Sequence, residues 1–507
     1  MAVAENARSL TWTSAIAAVP LIWLALARLV SPTFDPREPP PLWPTFPIIG
    51  HIVSILREAA SFYPRLLKEK GLPILSLPVV NKKIYVISSP GLIAAAMKNP
   101  DLTFEPFLLE LSAGAIGMTQ KHRDIVSRDG NIDKGMDLTR LCLKGQPLAK
   151  LNVAALDALA EPLHAIDDGQ DLVVPDVWNW IRDVLGQGIS KSLFGEKNPL
   201  TKELFADISV YEAGLPLLAR GYDLFVPKSV AARKRIVTAL QRYYTARHDE
   251  DETASDFVRG RASHWRQAGA TDEDVGVLEL TTPWAGSTNT VPSCAWFFLN
   301  IFSRPDLVAR IRAEVEAFSP ILTSEDGTKK CTMDVVKLES SCPVLGAAYR
   351  ETLRIYQNNL GMRRVVRDTT LRDPADGREY LLREGVDVHW QSLVTHTLPT
   401  VWGETWQTFD PERFLDVPLS EEKKRRGASI PFGGGKHLCP GRHFALVENL
   451  GFVAMLAAGF DIEGVLVPDS KDPIMGIGSR RPVWGTANRS IRVRRRQGWK
   501  GVTWSFA

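Results

Sequence analysis

Cysteine is scarce in this chain: five thiols, at positions 142, 294, 331, 342 and 439, are spread over 507 residues with no Cys-x-x-Cys pair. An odd count without paired spacing argues against a disulfide framework and a structural zinc site, and suits a reducing compartment. Excess charge is lacking too. Lys and Arg number 61 against 58 Asp and Glu, a net charge of +3. With no ladder of basic and aromatic residues, that balance speaks against nucleic acid as a partner. Internal repeats are missing, and from residue 51 onward no low-complexity stretch interrupts the chain. A solenoid is thereby excluded, and one large body is the economical expectation.

The first positive feature is an apolar run. Leu10 to Leu26 carries no charge, and with Ala27, Leu29 and Val30 it approaches the length that spans a bilayer. Trp12 and Trp23 suit the two interfaces, while Arg28 and Arg37 after the run, against Arg8 before it, favour a cytoplasmic C-terminal side. No basic cluster precedes the run and no cleavage site stands out, which disfavours a signal peptide. The expected organisation is a membrane anchor at 1–30, a proline-rich hinge at 31–50 and a catalytic body at 51–507. Pro39, Pro40, Pro41, Pro44 and Pro47 stiffen the hinge. The body reads as mostly helical, with strand-like runs at 73–88, 364–371, 379–394 and 486–495.

The most specific stretch is Phe432-Gly433-Gly434-Gly435-Lys436-His437-Leu438-Cys439-Pro440-Gly441-Arg442. A helix beginning at Pro440 would aim its free N–H groups and positive end at the sulfur. Both effects lower a thiol's pKa and favour the thiolate, the form that binds metal. Upstream, Glu351 and Arg354 lie three apart on a helix expected over 343–356, and so share a face. Phe409 to Phe414, which contains Arg413, follows them. A further long helix opens at Thr271-Asp272-Glu273-Asp274, a capping-box start, and runs to about Arg304. Within it Pro283 and Pro292 lack an N–H, so the carbonyls of Glu279 and Thr288 lose their helical partners. The stretch between should bend, with polar backbone facing a cavity.

The order Glu-x-x-Arg, Pro-Glu-Arg-Phe, then Phe-x-x-Gly-x-x-x-Cys-x-Gly resembles the cytochromes P450, and the resemblance extends over about residues 40–505. It implies the fold of that family, mostly α with small β-sheets, plus an N-terminal transmembrane helix. It also implies haem b (iron protoporphyrin IX) with Cys439 as the axial thiolate. Phe432, Gly435 and Gly441 belong to the same loop motif. Glu351, Arg354 and Arg413 would form a structural triad behind the haem. His437 and Arg363 match the propionate partners, with Arg364 a competing assignment because a strand alternates faces.

Trp284 to Pro292 resembles the family's distal helix, where dioxygen is bound and split. Most members carry an acid followed by threonine there, whereas this chain has Thr288 and Asn289. An amide can hold a water but is a poor acid. The segment looks like the branch containing the bile-acid sterol hydroxylases and prostacyclin synthase, which holds oxygenating and isomerising enzymes alike. Trp284, Ala285 and Met475 match pocket-lining positions. NADPH–cytochrome P450 reductase would supply electrons, with cytochrome b5 as a second donor, and the run Lys423 to Arg426 could steer it. The implied function is a membrane-anchored monooxygenase of the endoplasmic reticulum, single-pass, with its catalytic domain cytosolic. It would oxidise a lipophilic small molecule, terpenoid-, sterol- or polyketide-like, in a secondary-metabolite pathway such as those of fungi. The alternative is a haem-thiolate isomerase or dehydratase acting without O2 and NADPH.

Overall fold

Two apolar runs, Ile74–Val79 and Lys82–Ile87, fold back on one another as an antiparallel pair. They open the first of two units in the computed structural model, which describes residues 32–44, 50–166, 169–472 and 478–507. That unit comprises residues up to Phe104 together with Leu360–Thr395. Its five-stranded sheet runs in the order Ile74–Val79, Lys82–Ile87, Asp387–Gln391, Leu360–Val365, Leu102–Thr103. Only the Lys82–Ile87 and Asp387–Gln391 pair is parallel. Leu75, Leu77 and Val86 share one face by the strand's period of two and pack with Phe62, Leu66 and Val394. Gly361 matters here, because a Cβ at that position would fall 2.2 Å from the Trp390 indole. Trp390 therefore lies across the strand that carries Arg363. The expected run 364–371 resolves into Leu360–Val365 and Thr369–Arg372, with Glu379–Leu382 pairing to the latter.

The second unit, Glu105–Asn359 with His396–Ala507, is helical. Two of its helices are mostly apolar and buried on nearly every face, and so lie at the centre. Every residue of Thr290–Phe302 is buried, and Arg442–Gly459 is continuously buried from Val447 onward. Gly451 lets Leu156 of the helix Gly145–His164 close in, since a Cβ there would meet Leu156 at 2.4 Å. Trp296 stacks on Tyr356 with ring centroids 3.9 Å apart and planes 6° off parallel. That stack ties Thr290–Phe302 to Pro343–Tyr356, which begins at Pro343 as its first-turn preference predicts. Small sheets flank the helices, among them Phe460–Glu463, Ile491–Arg495 and Leu172–Val174.

A mostly α body with small sheets is thus observed, but the expected transmembrane helix is corrected. Among the described residues no helix is long and apolar enough to cross a membrane. Thr290–Phe302 has 13 residues, about 20 Å of helix against a hydrocarbon core of about 30 Å. Its faces are filled by other helices. The run Leu10–Leu26 lies outside the described residues. The membrane anchor, the membrane as a partner and the endoplasmic-reticulum placement that rested on it are withdrawn with it.

Candidate functional site

Gly433 and Gly435 adopt φ of +71° and +64°, a region that costs a residue with a Cβ about 1–2 kcal/mol. These two turns curl the loop so that the Cys439 N–H donates to the Phe432 carbonyl at 3.1 Å. Lys436 Nζ meets Glu105 Oε1 at 2.6 Å, and Arg140 donates to the Lys436 carbonyl at 3.0 Å, pinning the loop's outer edge. His437 sits in the short 3-10 turn Gly435–His437. The following helix starts later than expected: Gly441 is its cap and Arg442 its first residue, with Pro440 spent on the turn. The N–H groups of Gly441 and Arg442, and the Arg442 charge, favour a negative sulfur. Burial outweighs them and raises the thiol's pKa, the opposite of the expected lowering. A sulfur taken out of water resists ionisation until a cation binds it. Cys439 is half-buried, whereas the other four cysteines are buried.

Behind the loop stand three charged side chains. Glu351 and Arg354 are wholly buried and Arg413 nearly so. Arg354 grips Glu351 with two hydrogen bonds, Nε to Oε2 at 2.6 Å and Nη2 to Oε1 at 2.7 Å. Arg413 Nε approaches Glu351 Oε1 at 3.4 Å and its other nitrogens bond to the Trp402 and Thr405 carbonyls. The sequence-derived triad is therefore brought together. A residue that sequence reading missed links it to the loop. Arg354 donates to the His396 carbonyl at 2.9 Å, and His396 Nε2 accepts from the Ile430 N–H at 3.0 Å, two residues before Phe432.

The distal segment departs from one long bent helix. It is three pieces, Asp272–Leu278, Thr281–Thr288 and Thr290–Phe302. The capping box at Thr271 and Asp274 is present. Each break falls where a proline downstream strips a carbonyl of its partner. The second is a single residue, Asn289. The Thr288 carbonyl freed by Pro292 instead receives Arg481 Nη2 at 3.4 Å. The Asn289 carbonyl accepts from Ser293 Oγ at 2.6 Å and Ser479 Oγ at 3.3 Å, and Gln357 Nε2 donates to both hydroxyls. Gly478, with φ of +105°, leaves room for Asn289: a Cβ there would lie 2.6 Å from Asn289 Oδ1. Ala285 and Asn289, four apart on one face, are exposed although Thr282, Pro283 and Thr290 around them are buried. That face opens onto space. Trp284 stands beside it, edge-on to Tyr211 at 6.3 Å. Met475 lies outside the described residues.

Arg363 belongs to the first unit. It is 5 % exposed, with its guanidinium 5.1 Å from the Trp390 ring centre and 5.9 Å from that of Phe104. Burial pushes its pKa down to about 10, a cost that an added anion relieves. Arg364, on the other face, pairs with Asp387 at 2.8 Å. The basic run on Leu419–Ala428 is partly spent internally. Lys424 reaches Glu421 at 3.8 Å, Arg426 pairs with Glu422, and Arg425 donates to the Arg413 carbonyl. Reading the sequence also missed Glu448 on the cysteine helix, a carboxyl 1 % exposed whose pKa burial raises well above the usual range.

These residues suit one kind of metal group. Among the described residues no cluster of three or more His, Cys, Asp or Glu could hold a metal ion. A lone thiolate holds iron only when the remaining ligands arrive with the iron, as a porphyrin provides. The half-buried sulfur and the side-chain-free stretch at Gly433–Gly435 fit such a group.

Residues 230–478 match the sequence model of the cytochrome P450 family, a span that holds the triad, the distal segment and Cys439. The chain is 31 % identical to a cytochrome P450 monooxygenase of Gibberella zeae, over 97 % of this chain and 95 % of that protein. It is 26 % identical to the 5-beta-cholestane-3-alpha,7-alpha-diol 12-alpha-hydroxylase of Sus scrofa, over 90 % and 92 %. It is 25 % identical to the prostacyclin synthase of Bos taurus, over 87 % and 90 %.

Proposed function

The chain belongs to the cytochrome P450 family, and from that footing we propose that it is a haem-thiolate monooxygenase of a lipophilic small molecule, terpenoid-, sterol- or polyketide-like. Cys439 carries this reading: a half-buried thiol set in a glycine turn with two helix-end amides directed at it. Bound haem supplies the iron chemistry that oxidises an unactivated C–H bond at the expense of O2 and two electrons. The chain's own residues do the rest. Gly441 and Arg442 hold the negative charge on Sγ, and the triad with His396 fixes the loop. Trp284 and Ala285 offer an apolar wall for substrate. The Asn289 amide can anchor a water or a substrate oxygen, but it is too weak an acid to deliver a proton. NADPH–cytochrome P450 reductase is the proposed electron source, with cytochrome b5 as a second donor. Likeness to the sterol hydroxylase supports the sterol-type branch, and likeness to the Gibberella protein supports the monooxygenase reading.

The carbon-monoxide difference spectrum tests the ligand. Cys439→Ala should abolish the band of thiolate-ligated haem, and a surviving band would overturn the assignment. Asn289 in place of an alcohol favours one rival, an isomerase or dehydratase. Product formed by purified enzyme without NADPH would establish that rival, and strict NADPH dependence would remove it.

A further inference from the structure

Between Thr281 and Phe302 the distal segment has no acid, yet a carboxylate reaches it from another helix. Glu212, on Lys202–Leu218, puts Oε2 2.8 Å from Arg481 Nη2. The same nitrogen takes up the Thr288 carbonyl that Pro292 leaves without a helical partner. Glu212 Oε1 and Thr288 Oγ1 are both buried, and neither has a hydrogen-bond partner among the described residues. Buried polar atoms without partners are rare and costly, so two beside one void call for an explanation. Both residues line a cavity of about 20 Å³, with Ser209, Ser287 and Arg182 also on its wall. One water needs about 10–15 Å³ measured this way and two or more polar neighbours. Room and partners are both present.

We propose that Glu212, through a water in this cavity and the Thr288 hydroxyl, is the proton-delivering carboxylate of the distal site, held in place by Arg481. The proposal rests on the monooxygenase reading, whose reaction consumes two protons for each oxygen atom released as water. Thr288 is suited to relay because it lies three residues from Ala285 and next to Asn289, at the edge of the open face. In one relay event the Glu212 carboxyl gives its proton to the water, the water gives one to Thr288 Oγ1, and the hydroxyl releases its own toward that face. Solvent reprotonates Glu212 along the side where Arg481, 33 % exposed, meets it, the guanidinium keeping its own charge throughout. No electron moves and no other reactant is consumed. Burial raises the Glu212 carboxyl's pKa against the pull of Arg481, which favours the form that has a proton to give. Glu212 is a positioning residue in this scheme, since it does not touch substrate.

The test compares wild type with Glu212→Gln, Glu212→Asp and Thr288→Val. All should keep the thiolate carbon-monoxide band, which reports the haem reading independently. Glu212→Gln should cut product per NADPH by at least about tenfold, in favour of peroxide, with KM little changed, and Glu212→Asp should recover part of the loss. A second readout needs no turnover. The Glu212 carboxyl band, isolated as the wild-type-minus-Glu212→Gln infrared difference and so separated from that of buried Glu448, should shift in Thr288→Val, as expected if one water joins the two groups. Full coupling in Glu212→Gln, or a carboxyl band indifferent to Thr288→Val, would overturn the proposal. Should wild type lack the thiolate band, the haem reading fails first, and the infrared arm still decides whether Glu212 and Thr288 are joined.

Discussion

A carboxylate and two guanidiniums removed from water survive only by satisfying one another. Glu351 spends both oxygens on Arg354, and the Asp410 N–H adds a bond to Oε1 at 3.1 Å. Removing one partner strands the rest, at a cost of about 3–5 kcal/mol. Arg354→Ala should accordingly lower the denaturation free energy by that much, read from the shift of the urea midpoint, and should bind less haem per chain. An exposed pair of the same spacing would cost less than about 1 kcal/mol, which separates the two readings. At this scale the sequence was partly legible. Glu351 and Arg354 share a helical face by spacing alone, and the thiol of interest stood out by its glycine neighbours. The sulfur's raised pKa was not legible, because desolvation depends on the packed surroundings. Nor were His396 or Glu212, whose partners Ile430 and Arg481 are 34 and 269 residues away.

Among elements, the divided distal segment shows what local covalent geometry can and cannot announce. Pro283 and Pro292 foretold the loss of two helical bonds, since a missing N–H is a property of the residue itself. They did not foretell that the second break would narrow to Asn289, or that Arg481 would answer the Thr288 carbonyl. Pro292→Ala restores an N–H within reach of that carbonyl. Pro292 lies in the first turn of Thr290–Phe302, where proline is well tolerated, and the Thr288 carbonyl would exchange Arg481 for the new N–H. Stability should therefore change by less than about 1 kcal/mol, while the coupling of NADPH to product falls as Arg481 loses one of its two holds. Calorimetry and the NADPH-to-product ratio check the two halves. A large gain in Tm would mean the break is strained. The cysteine helix begins two residues beyond Pro440 for a related reason: proline is equally at home in a turn.

For the whole molecule, acid is the informative stress. His396 is fully buried and burial lowers its pKa to about 3, while His389 is lowered to about 4. Both are neutral in the folded chain at pH 7, and an unfolded chain protonates them near pH 6.5. Above that pH neither affects stability. Below it the unfolded state binds more protons, and stability falls by up to about 1.4 kcal/mol per pH unit for each ring until the folded values are reached. Melting followed from pH 7 to pH 5 should show this decline, and His396→Gln should flatten it. The mostly helical class and the strand-rich runs were readable from periodicity. The parallel pairing of Lys82–Ile87 with Asp387–Gln391 was not, because nothing local encodes a partner some 300 residues distant. The apolar run at Leu10–Leu26 led to a transmembrane helix that no described element supports. Arg481 binds a carboxylate from one helix and a carbonyl from another, so positions 212, 288, 292 and 481 share a single electrostatic account. Among descendants of this chain, a change at any of the four should be tolerated chiefly alongside a change at another, and these positions should drift as a set.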